Sequence, residues 1–455
     1  MQRILFAKVE VWFVLFLALL GVIGTVFVAA GVRDAERDEG RFGRFGRAAT
    51  MVASIPGTAI DALKPDLRMT YKHAERFEAI PTGWSFPTGE QPKGLSGYML
   101  ISRYDGNRTR HIVELISLAD FSVSHEWLPD FDALLAGLPQ VSEVADFTKW
   151  NTAHHRAVHP WAEPNGDLIV KDHYAPLFRL DACARKVWVQ ADMAFSHSTE
   201  PDGKGAFWIP GNPTRHEIFD RRFPEGFFDD AITRISANGE IVERRSLVKL
   251  LVDHNLGYLI YPPGRFDLDP VHVNDIQPVM ADGPYWKAGD LFLSFRRPSM
   301  IMLYRPSTDE IVWMKSGPWL AQHDVDVLDD HRISIFNNNA VNFGRGPKVE
   351  GISEPVIYDF ATGETTAPWH DAMVEYDVKT FSEGLVEQLP GGFLFLEEEN
   401  AGRFLILSPE RKVVAQFINR AENGHVYRLG WSRYLDAGYG DALRAELAKV
   451  DCQTN

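Results

Sequence analysis

One pattern recurs along this chain and limits its folds more than any other feature: an apolar run opened by Gly or Gly-Asp, a second after a turn, and a third ending near Val or Trp. Gly166-Asp167-Leu168-Ile169-Val170 leads to Leu177–Asp181 and then Val187-Trp188-Val189. Gly289–Leu293 leads to Met300–Tyr304 and Ile311-Val312-Trp313, and Gly392–Leu396 leads to Arg403–Leu407 and Val413-Val414-Ala415. Looser copies begin at Gly97, Ala206 and Arg332, which brings the copies to about six. Short strands punctuated by Gly, Asn-Gly and Pro mark antiparallel meanders. One meander cannot bury both faces alone, whereas copies packed around an axis can. The expected fold is all-β, a six-bladed β-propeller over residues 91–436 preceded by a single N-terminal transmembrane helix. A β-sandwich pair is the competing architecture. The inserts at 210–229 and 337–354 are expected as elaborated loops on one rim.

Val11 to Ala30 contains no charged residue, and about 20 helical residues at 1.5 Å rise cross a roughly 30 Å hydrocarbon core. A cleaved signal peptide has a shorter apolar region, so residues 1–32 are read as an uncleaved anchor. Arg33, Arg37, Arg41, Arg44 and Arg47 outnumber Arg3 and Lys8 across the span. That balance alone favours a cytoplasmic head, but long domains translocate largely regardless of charge. Residues 33–90 are expected as stalk and lead-in, with a solvated helix over Arg33–Arg47 stopped at Ile55-Pro56-Gly57. Residues 437–455 are expected as a short closing helix, with Leu443, Leu447 and Val450 at helical spacing, and a tail.

Among the 455 residues, 45% are hydrophobic, an ordinary globular composition. The net charge of −15 argues against a nucleic-acid partner, which needs a basic surface. Cys183 and Cys452 are the two cysteines, so neither a disulfide framework nor a zinc cluster is available. Cys183 falls on an expected turn and Cys452 near the C-terminus, which is read against their pairing.

His159, His197, His272 and His323 precede the turns that open successive repeats at similar offsets. Equivalent positions in propeller blades share radius and height, so the four rings are expected at one end of the channel. Arg296 and Arg297 end a strand and alternate in direction; Arg296 is assigned to the channel. Two other readings compete: blade-start histidines that only bond neighbouring backbone, and a metal site. The lack of a tight His-x-His pair and the presence of arginine argue against metal. His154, His155 and His173 lie off this register and are expected at the surface. Glu397-Glu398-Glu399-Asn400 is expected as a solvated turn rather than a calcium loop. No Walker or GxGxxG loop is visible.

The segments His272-Val273-Asn274-Asp275-Ile276-Gln277, Ser294-Phe295-Arg296, Ile311-Val312-Trp313 with Gly317, and Gln322-His323-Asp324-Val325 stand in that order. Leu389-Pro390-Gly391-Gly392 and Trp431-Ser432-Arg433-Tyr434 follow, the block from Gly384 to Tyr434 being expected as the last blade. In these segments the chain resembles the bacterial arylsulfate sulfotransferase-like family of six-bladed β-propellers, over roughly residues 95–435. The resemblance implies transfer of a sulfuryl group from an aryl sulfate to a phenol without a nucleotide donor, cofactor or metal. It implies that His323 becomes sulfated and that His272, Asn274 and Arg296 surround the sulfate. An earlier-blade histidine of the family matches His159 or His197, and both, with Arg297, are taken as substrate-binding. It also implies a periplasmic head on a single-pass inner-membrane anchor, against the arginine balance. The alternative is a non-catalytic propeller that binds a partner or a small anionic ligand. The chain departs from the family in its uncleaved-looking anchor and in its inserts around Phe207–Asp229.

Overall fold

The computed structural model describes residues 10–36, 41–63, 69–139, 150–213, 223, 226–261, 267–343 and 346–452. They fall in two compact units, residues 1–68 and 69–455.

The first unit holds the helices Val11–Glu36 and Gly43–Leu63. Val11–Ala35 is long and apolar enough to cross a membrane, a test that a signal sequence also passes. The expected continuous stalk helix is not there. Asp34 turns its carboxylate onto the N–H groups of Arg41 at 3.1 Å and Phe42 at 2.9 Å, and a new helix starts at Gly43. Phe27 then meets Phe42 and Phe45, with ring centroids 5.3 and 4.9 Å apart. A Cβ on Gly31 would lie 2.9 Å from the Phe45 ring, so glycine permits this approach. Pro56, expected to stop the helix, lies inside Gly43–Leu63.

The second unit is a propeller-like ring of antiparallel sheets. Val273–Pro278, Leu291–Phe295, Met300–Arg305 and Glu310–Ser316 form one four-stranded meander, and His323–Val327, Arg332–Asn337, Glu354–Asp359 and Thr365–Thr366 another. A longer sheet holds two meanders, from Trp161 to Phe195 and from Glu200 to Ser246, bridged where Phe195 and Ala194 pair with Gly211 and Asn212. The two chain ends are exchanged. The C-terminal strand Arg433–Leu435 pairs with Tyr98–Asp105 of the first sheet, and the N-terminal strand Gly83–Ser85 pairs with Val413–Ile418 of the last. Trp431–Tyr434, expected in the last blade, therefore opens the strand that completes the first. Residues 69–90, expected as lead-in, belong to this unit.

Each meander packs on the next through a buried apolar cluster, and Leu95, Met99, Phe395 and Phe404 share the cluster that joins the last sheet to the first. Second and third strands are covered on both faces: Leu291–Phe295 and Arg403–Leu407 are buried throughout, whereas the outer Glu310–Ser316 is largely not. Burial on both faces explains the unbroken apolar runs of the sequence; each fully buried Leu or Phe contributes about 1.5–3 kcal/mol.

The closing helix runs Ala437–Leu447, capped by the Asp436 carboxylate on the Tyr439 N–H. Leu443 and Leu447 are buried against the first and second meanders, while Val450 is exposed. Beyond it Cys452 is disulfide-bonded to Cys183, a pairing the sequence reading disfavoured. Packing of the helix is what carries the tail to that turn.

Candidate active site

First strands of neighbouring meanders touch in series from Glu200–Pro201 through Val273–Pro278, His323–Val327 and Leu385–Leu389 to Arg433–Leu435. Each first strand starts beside a residue in the left-handed region: His159 (φ 45°), His197 (53°), His272 (53°), Asp324 (55°), Glu383 (53°) and Trp431 (65°). Such backbone costs of the order of 1–3 kcal/mol per residue and persists where surrounding packing over-determines it. Antiparallel pairing brings the end of each second strand to the same end of the ring. His173, Arg296 and Asn338 follow second strands that end at Val170, Phe295 and Asn337. The site is thus built from two repeat registers.

At this end lies a cavity of about 280 Å³ lined by His173, Tyr174, His197, His272, Arg296 and His323. Phe381, Ser382 and Glu383 complete its wall. The His197 ring sits 4.2 Å from His173, 5.0 Å from His272 and 6.2 Å from His323, centroid to centroid. His323 Nδ1 lies 2.7 Å from Asn338 Oδ1. The Asn338 amide nitrogen donates to the Thr380 carbonyl at 3.0 Å and the Glu383 carbonyl at 2.7 Å. Its oxygen is therefore the atom that faces His323, and His323 donates from Nδ1. That leaves the Nε2 lone pair without a proton. His272 Nδ1 meets Asp269 Oδ2 at 2.5 Å. His173 has both nitrogens engaged, Nδ1 by the His197 N–H at 3.3 Å and Nε2 by Glu383.

Burial dominates the electrostatics. It pushes His323 down to about 3, helped by Arg296, so this ring is neutral at physiological pH. His197 is likewise held well below the usual histidine range by burial and by its three histidine neighbours. Burial and then Arg297 lower the Arg296 guanidinium. Among the described residues no carboxylate pairs with Arg296, and its Nε is buried without a hydrogen-bond partner. Burial alone would raise Asp269, but His272 and the two arginines 296 and 297 outweigh it and keep the carboxylate ionised. Glu383 is likewise held low against burial by Arg156 and His173.

A half-enclosed guanidinium and a neutral imidazole in one small cavity suit a small anion. The family model for arylsulfotransferase (ASST) matches residues 164–420, more than half of the chain. The chain belongs to the arylsulfotransferase (ASST) family. Membership supports an arylsulfotransferase-like function. No curated protein matches the chain in sequence. Solved structures similar to it in part include a protein of unknown function from Bacteroides caccae, 10% identical with a TM-score of 0.44 over 73% of this chain and 98% of that one. The WD40 β-propeller domain of Doa1 is 12% identical, with a TM-score of 0.38 over 78% and 97%. Apo AztD from Citrobacter koseri is 9% identical, with a TM-score of 0.35 over 75% and 98%. Likeness at this level says nothing about activity.

The motifs read in the ASST segments divide their labour. His272, Arg296 and His323 face the cavity, while Asn274, Ser294 and Gln322 tie the meanders together behind it. Asn274 donates to the Gln322 carbonyl at 2.7 Å, and the Gln322 side chain donates to Ser294 Oγ at 3.1 Å. Asn274, expected around the sulfate, is therefore outside the cavity wall. His159, expected in the site, is outside it too. Its ring lies tilted against Trp431 at 4.8 Å between centroids, and its Nδ1 lies 3.3 Å from both Arg433 and Glu200. His197 and His272 share the left-handed register of His159 and line the cavity, and His323 lines it from one residue ahead of that register, so register alone does not decide which ring enters. Arg297, expected to bind substrate, is directed to Asp267 at 3.3 Å and Asp269 at 3.7 Å.

Two further expectations are overturned. His173 lines the cavity rather than the surface, and His155 is fully buried with its ring stacked 3.5 Å from Phe131. Glu397, Glu398 and Glu399 are buried rather than solvated. Glu397 accepts the Trp431 and Ser432 N–H groups, Glu398 pairs with Arg76 and Arg403, and Glu399 with Arg156. His173 was findable: it occupies in its repeat the second-strand exit that Arg296 occupies in another. Among the described residues, the one group of donors close enough to hold a metal is Asp329, Asp330 and His331, away from the cavity wall.

Proposed function

We propose that the protein transfers a sulfuryl group from an aryl sulfate to a phenol through His323. The observation that carries this is one cavity that holds His323, with Nε2 bare, and Arg296, whose guanidinium has no carboxylate partner among the described residues. Sulfuryl groups, like phosphoryl groups, pass through loose in-line transition states, where positioning and charge stabilisation dominate. His323 attacks sulfur, Arg296 holds the sulfate oxygens, and His272 exchanges the proton of the leaving and incoming phenols. Tyr174 and Phe381 in the wall suit an aromatic ring.

The apolar Val11–Ala35 segment supports attachment to the inner membrane. The Cys183–Cys452 disulfide supports a periplasmic head, since such bonds persist in oxidising compartments. Incubation with a chromogenic aryl sulfate and a phenol tests the activity. A burst of phenol release is expected, lost in His323→Ala. Silence across many donors, with anion binding retained, overturns transfer in favour of a non-catalytic anion-binding propeller.

A further inference from the structure

We propose that Asn338 and Asp269 are positioning residues that give two imidazoles of one cavity opposite tasks: Asn338 fixes the His323 proton on Nδ1 and so bares Nε2 as the nucleophile, and Asp269 makes His272 the proton carrier. This rests on the sulfuryl-transfer reading above. Both rings spend Nδ1 on their partner, His323 on an amide oxygen at 2.7 Å and His272 on a carboxylate at 2.5 Å, and so offer Nε2 for chemistry. A carboxylate balances the charge of an imidazolium; an amide oxygen takes the Nδ1 proton in a hydrogen bond without offering charge. Amide and carboxylate have nearly the same shape, so the difference between the two sites is electrical.

Each partner is itself held. Asn338 is fully buried, its amide nitrogen spans two carbonyls, and its backbone oxygen accepts the Ser353 hydroxyl at 2.9 Å. Asn338 therefore has no rotation that would turn its NH₂ toward the ring without orphaning those carbonyls. Around His323 the other charged or titratable neighbours are Arg296, His272, His197 and Glu383, the last already neutralised by Arg156. Around His272 they are Asp269, Asp230, His197 and His323, with Arg296 and Arg297 facing the carboxylate.

The two tasks fit the bond changes. In the first half-reaction the His323 Nε2 lone pair forms the N–S bond, the S–O(aryl) bond breaks, and the aryl oxygen takes the Nε2 proton of His272. The sulfated ring keeps its Nδ1 proton on Asn338, so a cationic ring carries the anionic sulfuryl group. In the second half-reaction the acceptor phenol gives its proton to His272 Nε2 as its oxygen attacks sulfur. The N–S electron pair then returns to Nε2, and a neutral imidazole departs. A carboxylate at position 338 would draw off the Nδ1 proton and leave an imidazolate to depart, a far poorer leaving group.

The tests separate this proposal from the reading beneath it. Nitrogen-15 NMR of the resting wild-type protein is expected to show His323 protonated at Nδ1 alone and His272 protonated at Nδ1 and at Nε2, and needs no turnover. Protonation of His323 at Nε2 overturns the role of Asn338, and a His272 proton at Nε2 alone overturns that of Asp269, whether or not the protein is active. In Asn338→Asp, sulfated protein is expected to accumulate, by intact mass, with its discharge to phenol slowed about tenfold or more. Unchanged discharge overturns the leaving-group argument. In Asp269→Asn, the loss in kcat/KM is expected to grow with the pKa of the leaving phenol, from little for a dinitrophenyl sulfate to about 10²-fold for phenyl sulfate. A loss equal across that series would mark Asp269 as merely structural. Absence of transfer from every donor by the wild type sinks sulfuryl transfer itself, and the NMR assignment still decides the tautomers.

Discussion

Two arginines in the walls of this ring are treated in opposite ways. Arg156 is buried and saturated: Glu383 takes it with both carboxylate oxygens at 2.9 and 3.1 Å, Glu399 approaches at 2.8 Å, and Asp172 at 3.5 Å. Arg296 lines the cavity with an orphaned Nε and no carboxylate paired to it among the described residues. The saturated arginine is pushed above the usual guanidinium range and the other below it. A half-buried cation without a partner is costly unless something supplies the missing charge. The contrast teaches that one cation is compensated within the scaffold, whereas the other is left open to an outside charge.

The sharpest way to break that contrast is Arg156→Met. Removing the cation strands Glu383, Glu399 and Asp172, and a loss of about 3–5 kcal/mol is expected in chemical denaturation. Unchanged stability would mean the carboxylates are not compensated as described. Arg296→Gln should do the reverse, leaving the denaturation midpoint in place or raised while transfer falls about 10²–10³-fold, roughly 2.7–4 kcal/mol. An equal loss of stability would place Arg296 with Arg156.

The pH dependence sharpens the comparison next. His323 sits at about 3 in the fold against 6.5 when unfolded. The unfolded chain therefore binds the extra proton, and this stability is present above pH 6.5 and lost as pH falls toward 3. At pH 5 the loss amounts to about 2 kcal/mol, so wild type should lose that much more than His323→Gln between pH 7.5 and 5. Glu397, pushed by burial up to about 7, acts in the opposite sense. Its contribution is full below the unfolded carboxylate range and lost as pH rises through 7, so the difference between the two proteins is the quantity to measure. An equal response of both would show that His323 is not held neutral. The smallest effect is ligand stabilisation: an aryl sulfonate at ten times its Kd should add about 1.4 kcal/mol to wild type and far less to Arg296→Gln. Equal stabilisation of both would put the anion elsewhere.

Much of the ring was legible because burial on both faces of a strand writes itself as continuous apolar residues, as in Leu291–Phe295 and Arg403–Leu407. The alternation of Arg296 and Arg297 was legible for the same reason, since successive strand residues face opposite ways. The partners were not. Asn338 lies in an insert, Asp269 three residues before its histidine, and Glu383 pairs with Arg156 across a separation of 227 residues. Nothing local marks such pairs. Glu397-Glu398-Glu399 looked solvated because charge runs usually are, and partners from distant segments, the Trp431 and Ser432 N–H groups, Arg76 and Arg156, with Arg403 nearby, stabilise its burial. His159 turns to Trp431 and Arg433 while His197 and His272, in the same register, face the cavity, a difference set by tertiary partners.

Sequence by itself determined the repeating strands, the apolar N-terminal segment and the residue types able to meet a sulfate, because strand period and hydrophobic length are local properties. Closure of the ring decided the rest: which end strand completes which sheet, that Cys452 reaches Cys183, and which histidines converge. Those choices depend on packing between segments hundreds of residues apart. The protonation of His323 belongs with them, since an imidazole takes its tautomer from the single atom placed against its other nitrogen.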